Sequence, residues 1–181
     1  MAVNQFNIQR VGQRAERKLL VTIAEWFEPT GTGTATTRCV EILGTRTEDS
    51  SIDYNADIQQ STDIRGNNYT DVNKTQPQQD FDPYLILGGS KLGAKLNDIR
   101  SRNALSELDQ FNIYVVTMFV GSEGAWRTEK HEGCTITYTS IGGDANVNFP
   151  ISVYLSNKIT IGTVDKIAED FTFSTSPSSG T

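Results

Sequence analysis

The chain has one histidine, two cysteines and five prolines in 181 residues, and each scarcity closes off a class of chemistry. With His131 alone, any nucleophile activated by an imidazole would have to be built around that single residue. It sits in Arg127-Thr128-Glu129-Lys130-His131-Glu132, a charged run expected to form a solvated hairpin tip. Cys39 and Cys134 make no CxxC pair and no Cys/His cluster of metal-ligand spacing, so two buried, reduced thiols are expected. Long apolar runs are missing too. No window approaches the roughly 18 uninterrupted apolar residues of a membrane span, and the polar first 18 residues lack the apolar stretch of a secretory signal. Synthesis and folding in a cytoplasm are expected, without a membrane partner. In that setting Asn68-Tyr69-Thr70 and Asn73-Lys74-Thr75 are chance matches to the glycosylation pattern.

Positive charge is also in short supply. Sixteen basic side chains face 22 acidic ones, a formal charge of −6, so the chain as a whole has no electrostatic pull toward nucleic acid or an anionic membrane. The imbalance is local: residues 41–82 carry 3 basic and 9 acidic groups. That stretch alone accounts for the net charge of the chain.

What is present is a polar, turn-rich chain with 15 Gly and 36% apolar residues, which points to a mainly β fold with a modest core. A single domain over residues 1–173 is expected, with an acidic hairpin or loop inserted at 44–83, and a small polar tail at 174–181 expected to be mobile. Leu19 to Phe27 has the pattern of a buried strand ended by Pro29-Thr30-Gly31-Thr32-Gly33, and Arg38 to Leu43 that of its hairpin partner. From Ser51 to Gln59 the residues alternate: Ile52, Tyr54, Ala56 and Ile58 on one face, Asp53, Asn55, Asp57 and Gln59 on the other. This predicts a strand with one packed and one wet, acidic face. Gly66-Asn67-Asn68 supplies turn chemistry, and Tyr69 to Val72 returns as a strand before Pro77.

Leu92, Leu96 and Ile99 then lie at i, i+4 and i+7, with Ser90 placed to cap a helix. This is the one helix the sequence predicts, and Gly93 weakens its first turn. Strands are expected again at Phe111 to Val120, Thr135 to Ile141, Val147 to Leu155, Ile159 to Val164 and Phe171 to Phe173, with a turn at Gly142-Gly143-Asp144. The expected architecture is an antiparallel β-sandwich or barrel with one flanking α-helix and a long inserted loop.

Candidate chemistry is thin. Gly88-Gly89-Ser90-Lys91-Leu92-Gly93-Ala94-Lys95 has the glycines of a phosphate loop without its Gly-Lys-Ser/Thr ending, and fits a turn and helix cap. Asp49, Asp53, Asp57, Asp80 and Asp82 lack the spacing of a calcium loop, and a charge run of this kind is usually a solvated face. No cofactor, metal site or enzymatic activity is expected.

Thr62-Asp63-Ile64-Arg65-Gly66, followed by Tyr69-Thr70-Asp71-Val72-Asn73-Lys74-Thr75, Pro77 and Phe81-Asp82-Pro83, resembles the central segment of the major tail proteins of long-tailed bacteriophages of Gram-positive bacteria. The similarity is strongest from Asp57 to Leu96 and looser from Gly142 to Phe173. It implies a tail-tube subunit in a virion: a β-sandwich with a flanking helix, assembled as stacked hexameric rings whose strands join into a continuous barrel, with a long loop reaching the neighbouring ring. In that setting Asp63, Arg65, Tyr69, Asp71, Asn73 and Lys74 fall in the inter-subunit loop. The implied partners are further copies of the chain, a tape measure protein, and tail terminator and distal tail proteins, while DNA transits without specific binding. The polar N-terminal segment and Ser-rich C-terminus depart from the family pattern.

Independently of that resemblance, an acidic strand face suits a channel wall, which assigns Asp53, Asn55, Asp57 and Gln59 to the lining. A basic lining would bind DNA by counterion release at each phosphate, whereas an acidic one offers no such contact. The competing expectations are the inner tube of a contractile injection device and a carbohydrate-binding β-sandwich. The second would display clustered exposed aromatics, but Trp26 and Trp126 lie far apart, each in an apolar strand context.

Overall fold

The computed structural model describes residues 14–30, 34–47 and 50–175. It is mainly β and antiparallel, with one α-helix: a sandwich with a flanking helix, as the residue patterns predict. In chain order the elements are β1 (Leu20–Pro29), β2 (Thr36–Ile42), β3 (Ile52–Asp53), β4 (Asp57–Thr62), β5 (Asn68–Lys74), β6 (Gln78–Phe81), α1 (Lys91–Arg102), β7 (Phe111–Ser122), β8 (Ala125–Tyr138), β9 (Ile151–Tyr154), β10 (Ile159–Val164) and β11 (Phe173–Thr175). Nine strands form one sheet in the order β2-β1-β7-β8-β9-β6-β3, with β10 beside β8 and β11 beside β10, while among the described residues β4 and β5 pair only with each other.

The strand β8 organises the sheet. Its first half pairs with β10, His131 opposite Ile159 and Trp126 opposite Val164, and its second half pairs with β9. Between them Gly133, at φ 68, is an extra residue against β7, since Phe111 lies opposite Cys134 and Asn112 opposite Glu132. Such a bulge bends a strand, and here it marks the point where β8 exchanges one neighbour for another.

Alternation along β1 and β7 feeds two cores. Ala24, Trp26, Phe111, Ile113 and Val115 join Ile136, Ile151, Val153, Phe81 and the buried face of α1 in the larger one. Leu92, Leu96 and Ile99 are all 0% exposed, and each such burial contributes about 2 kcal/mol. Ser90 caps α1 by accepting from the Gly93 N–H at 3.0 Å, and a side-chain Cβ at position 93 would lie 2.9 Å from the Ser90 hydroxyl. A Cβ that close would push the Ser90 hydroxyl aside, so the glycine that weakens the first turn also leaves the cap undisturbed.

On the opposite face Ile23, Val40, Tyr114, Val116 and Val164 pack under Phe171. Glu25 is buried there, 4% exposed. Burial pushes its carboxyl up, but hydrogen bonds from Arg38, Asn112 and Tyr114 outweigh this and hold it below the usual range. The Arg38 guanidinium lies 4.4 Å over the Phe171 ring and donates to the Phe171 carbonyl at 3.2 Å, tying the segment before β11 to β2.

Several expectations need correction. The charged run at His131 is not a hairpin tip: it lies inside β8, and the turn is at 122–125. His131 is 3% exposed, with Nδ1 2.8 Å from the Ser156 carbonyl. Two flanking strands and cross-strand ion pairs such as Lys158 to Glu132 at 2.6 Å make a charged sequence viable in mid-sheet. The strand expected to start at Thr135 therefore starts at Ala125, and the one expected at Val147 starts at Ile151. Cys134 is buried, whereas Cys39 is only half-buried. Ser174 and Thr175, expected in a tail, pair with Thr163 and Gly162 in β11, and the rest of that tail lies outside the described residues. Within the expected inserted loop, β3 and β6 belong to the main sheet, and only the stretch between them leaves it.

Candidate functional site

The stretch that leaves the body is a two-stranded arm. Its strands have the β-branched and aromatic residues that favour extension, Ile58, Thr62, Tyr69 and Thr70. Its turn is built by one aspartate. The Asp63 carboxylate accepts from the backbone N–H of Arg65 at 2.8 Å and of Asn67 at 2.9 Å, and from the Asn67 side chain at 3.0 Å. These donors, the Asn67 side chain foremost, hold the Asp63 carboxyl below its usual range. Gly66 supplies the positive φ of 82° that closes the turn.

The register sets Ile58 opposite Val72, Gln60 opposite Thr70 and Thr62 opposite Asn68; Gln59 faces Asp71 and Ser61 faces Tyr69. Every residue from Asp57 to Asp71 is exposed. Ile58 is 57% and Tyr69 48% exposed, and Ile64 in the turn is fully so. Neither core receives a residue from the stretch Asp57 to Asp71. At its base the Gln76 N–H donates to the Tyr54 carbonyl at 3.0 Å, and the Asn55 side chain donates to the Gln76 carbonyl at 3.1 Å.

The single strand expected over Ser51 to Gln59 is not formed. It breaks at Asn55, whose φ of 43° lies in the left-handed region that asparagine tolerates. The chain pairs with β6 as far as Asp53, turns out of the sheet, and resumes as β4 at Asp57. Ile52 packs against the larger core, but Tyr54 at 58% and Ile58 at 57% exposure do not, so the predicted packed face ends after one residue. Alternation gave the period correctly and the covering wrongly.

The residues assigned to a lining are all exposed but sit on three units: Asp53 on β3, Asn55 in the link, Asp57 and Gln59 on β4. The residues assigned to the inter-subunit loop are brought together on the arm. Asp63 and Arg65 form its turn, Tyr69 and Asp71 lie on β5, and Asn73 and Lys74 end β5, their side chains outside the described residues. Missing from the assigned set was Ile64, the outermost apolar group. Its signal was an isoleucine within the turn sequence Asp63-Ile64-Arg65-Gly66, where no backbone requirement calls for one.

Among the described residues the groups that could carry reactive chemistry are already engaged. The N-terminus of α1, where a phosphate would bind, is filled by Glu41, which accepts from the Leu92 N–H at 2.8 Å and from Ser90 at 2.9 Å. Burial and the Glu41 carboxylate beside it push the Tyr84 phenol well up. Burial does the same to the Cys134 thiol, leaving it a poor nucleophile. Asp49 lies outside the described residues, and among the described residues no three His, Cys, Asp or Glu side chains gather to hold a metal ion. No protein-family model and no curated protein matches the chain.

Proposed function

We propose that this protein is a structural subunit of a tail tube of the bacteriophage kind, assembling with copies of itself as stacked hexameric rings around a channel through which DNA passes. The observation that carries this reading is the β4–β5 arm. An isolated two-stranded ribbon is marginal in water, and this one has no further strand partner among the described residues and carries solvent-exposed Ile58, Ile64 and Tyr69. Contact with another copy would cover those groups and extend the pairing. Catalysis would need a convergent nucleophile, base or metal set, and glycan binding an exposed aromatic platform. Trp26 is instead 2% exposed and Trp126 packs against the smaller core, while the exposed rings of Phe27, Tyr54, Tyr69 and Tyr154 lie on β1, in the link before β4, on β5 and on β9.

Within this reading Asp53, Asn55, Asp57 and Gln59 face the channel or its rim and keep phosphate from adhering. Screening over about 8 Å at physiological salt confines their repulsion to the wall, so the surface is non-stick rather than motive. Like-charged copies repel, so assembly should strengthen with salt. Negative-stain microscopy of the purified chain tests the proposal. Rings or tubes with a central channel are expected, and a persistent monomer at every salt concentration overturns it.

A further inference from the structure

The two cores leave an apolar floor incompletely covered. Where β1 begins and β2 ends, a cavity of about 370 Å³ is lined by Leu20, Val21, Ile42, Phe81 and Ile167. Leu20 belongs to the edge of the larger core, and Val21, Ile42 and Ile167 to the edge of the smaller. These four side chains are only half-buried. Covering them is favourable in proportion to the apolar area removed from water.

The chain enters its domain at this cavity. Arg17 lines it, and the Arg17 guanidinium donates to the Leu20 carbonyl at 2.7 Å and to the Ser50 carbonyl. Residues 1–13 are therefore tethered within a few residues of the opening. They include Phe6-Asn7-Ile8-Gln9, an alternation that puts Phe6 and Ile8 on one face of an extended segment and Asn7 and Gln9 on the other. Gly12 gives the chain a place to reverse direction, and Ile8 is no more than about 20 Å of extended chain from Arg14.

The tether decides between this occupant and others. A segment on so short a link meets the cavity at an effective concentration in the millimolar range. Exposed apolar groups of a second copy arrive only at the concentration of the protein itself.

We infer that Phe6 and Ile8 seat in the Leu20–Phe81 cavity of their own chain, capping the domain where the edges of both cores are open. The seating is independent of the tube reading and applies to the monomer.

Thiol labelling tests this on the full chain at low salt, in a Cys39→Ser background where Cys134 is buried. Thr45→Cys places a thiol on the exposed rim of the cavity, and its reaction with a maleimide should be slow while the segment is seated. Adding Phe6→Ser and Ile8→Ser should speed labelling by on the order of tenfold or more, the effect of losing two covered apolar side chains. Asn7→Ser with Gln9→Ser, on the other face, should leave the rate unchanged. Equal rates in the two pairs overturn the seating. Dilution by about a hundredfold should not alter the protection, because a tethered segment stays at its effective concentration. Protection that fades on dilution, or a protected species that sizes as a dimer, means exchange between copies and overturns the assignment to the same chain. As a second readout, Phe6→Ser with Ile8→Ser should lower the urea midpoint of the chain that keeps Thr45, and an unchanged midpoint counts against the cap.

Discussion

Replacing residues 58–73 by Asn-Gly should leave the domain as stable as before and abolish its assembly. Asp57 and Lys74 are cross-strand partners, so a two-residue type I′ turn joins them without disturbing the base of the arm. The lost hydrophobic contribution is close to zero, because no residue from Asp57 to Asp71 is buried and neither core includes one. Shortening a 16-residue excursion to two is three halvings. At about 0.6 kcal/mol each these bound the entropic gain near 2 kcal/mol, less what the paired ribbon already recovers. The net change in unfolding free energy should therefore lie within about 1 kcal/mol of zero. Urea unfolding followed by tryptophan fluorescence suits the measurement, since Trp26 is 2% exposed in the larger core. A loss above about 3 kcal/mol would mean that the arm packs on its own domain, and tubes formed without the arm would mean that it is not the contact.

Three further outcomes follow from the body. Glu25→Ala strands Arg38, Asn112 and Tyr114 around an empty site and should cost about 3 kcal/mol in urea unfolding; a cost under 0.5 kcal/mol would discount the network. Gly93→Ala should destabilise the wild type, because its Cβ meets the Ser90 hydroxyl at 2.9 Å, yet stabilise the Ser90→Ala background by up to about 1 kcal/mol through helix propensity. Additive effects in that double-mutant cycle would refute the steric account of the glycine. Glu132, flanked by Lys130 and Lys158, and Glu107, flanked by Arg102 and Lys95, are both held down to about 2 from a usual 4.5. A depressed folded value means stabilisation that is complete above the unfolded value and is lost as pH falls from about 4.5 toward 2. A Glu132→Gln variant should lose less stability across that window, and an unchanged acid profile would contradict the pairing.

How much of this was legible in the residues depended on whether a local pattern had a local cause. The β1–β2 hairpin, the bounds of β10 and the helix with its Ser90 cap were readable because apolar runs, period and capping chemistry act within a few residues. Ser51 to Gln59 was misread because alternation says which side chains share a face and nothing about what covers it, and Asn55 could take the left-handed conformation that ended the strand. His131 was misplaced for the complementary reason. A charged run looks solvated until strands on both sides supply partners, and those partners lie far away in sequence, at Ser156 and Lys158. The candidate loop residues, grouped by resemblance, fall together on the arm, whereas Ile64 needed the structure to show it fully in solvent.

Cryo-electron microscopy of the assembled protein tests the central claim most directly. The account predicts hexameric rings in which the β4–β5 arm lies across a neighbouring copy, with Ile58, Ile64 and Tyr69 covered. Assemblies whose arm still projects into solvent, or a chain that remains monomeric under every condition tried, would contradict it.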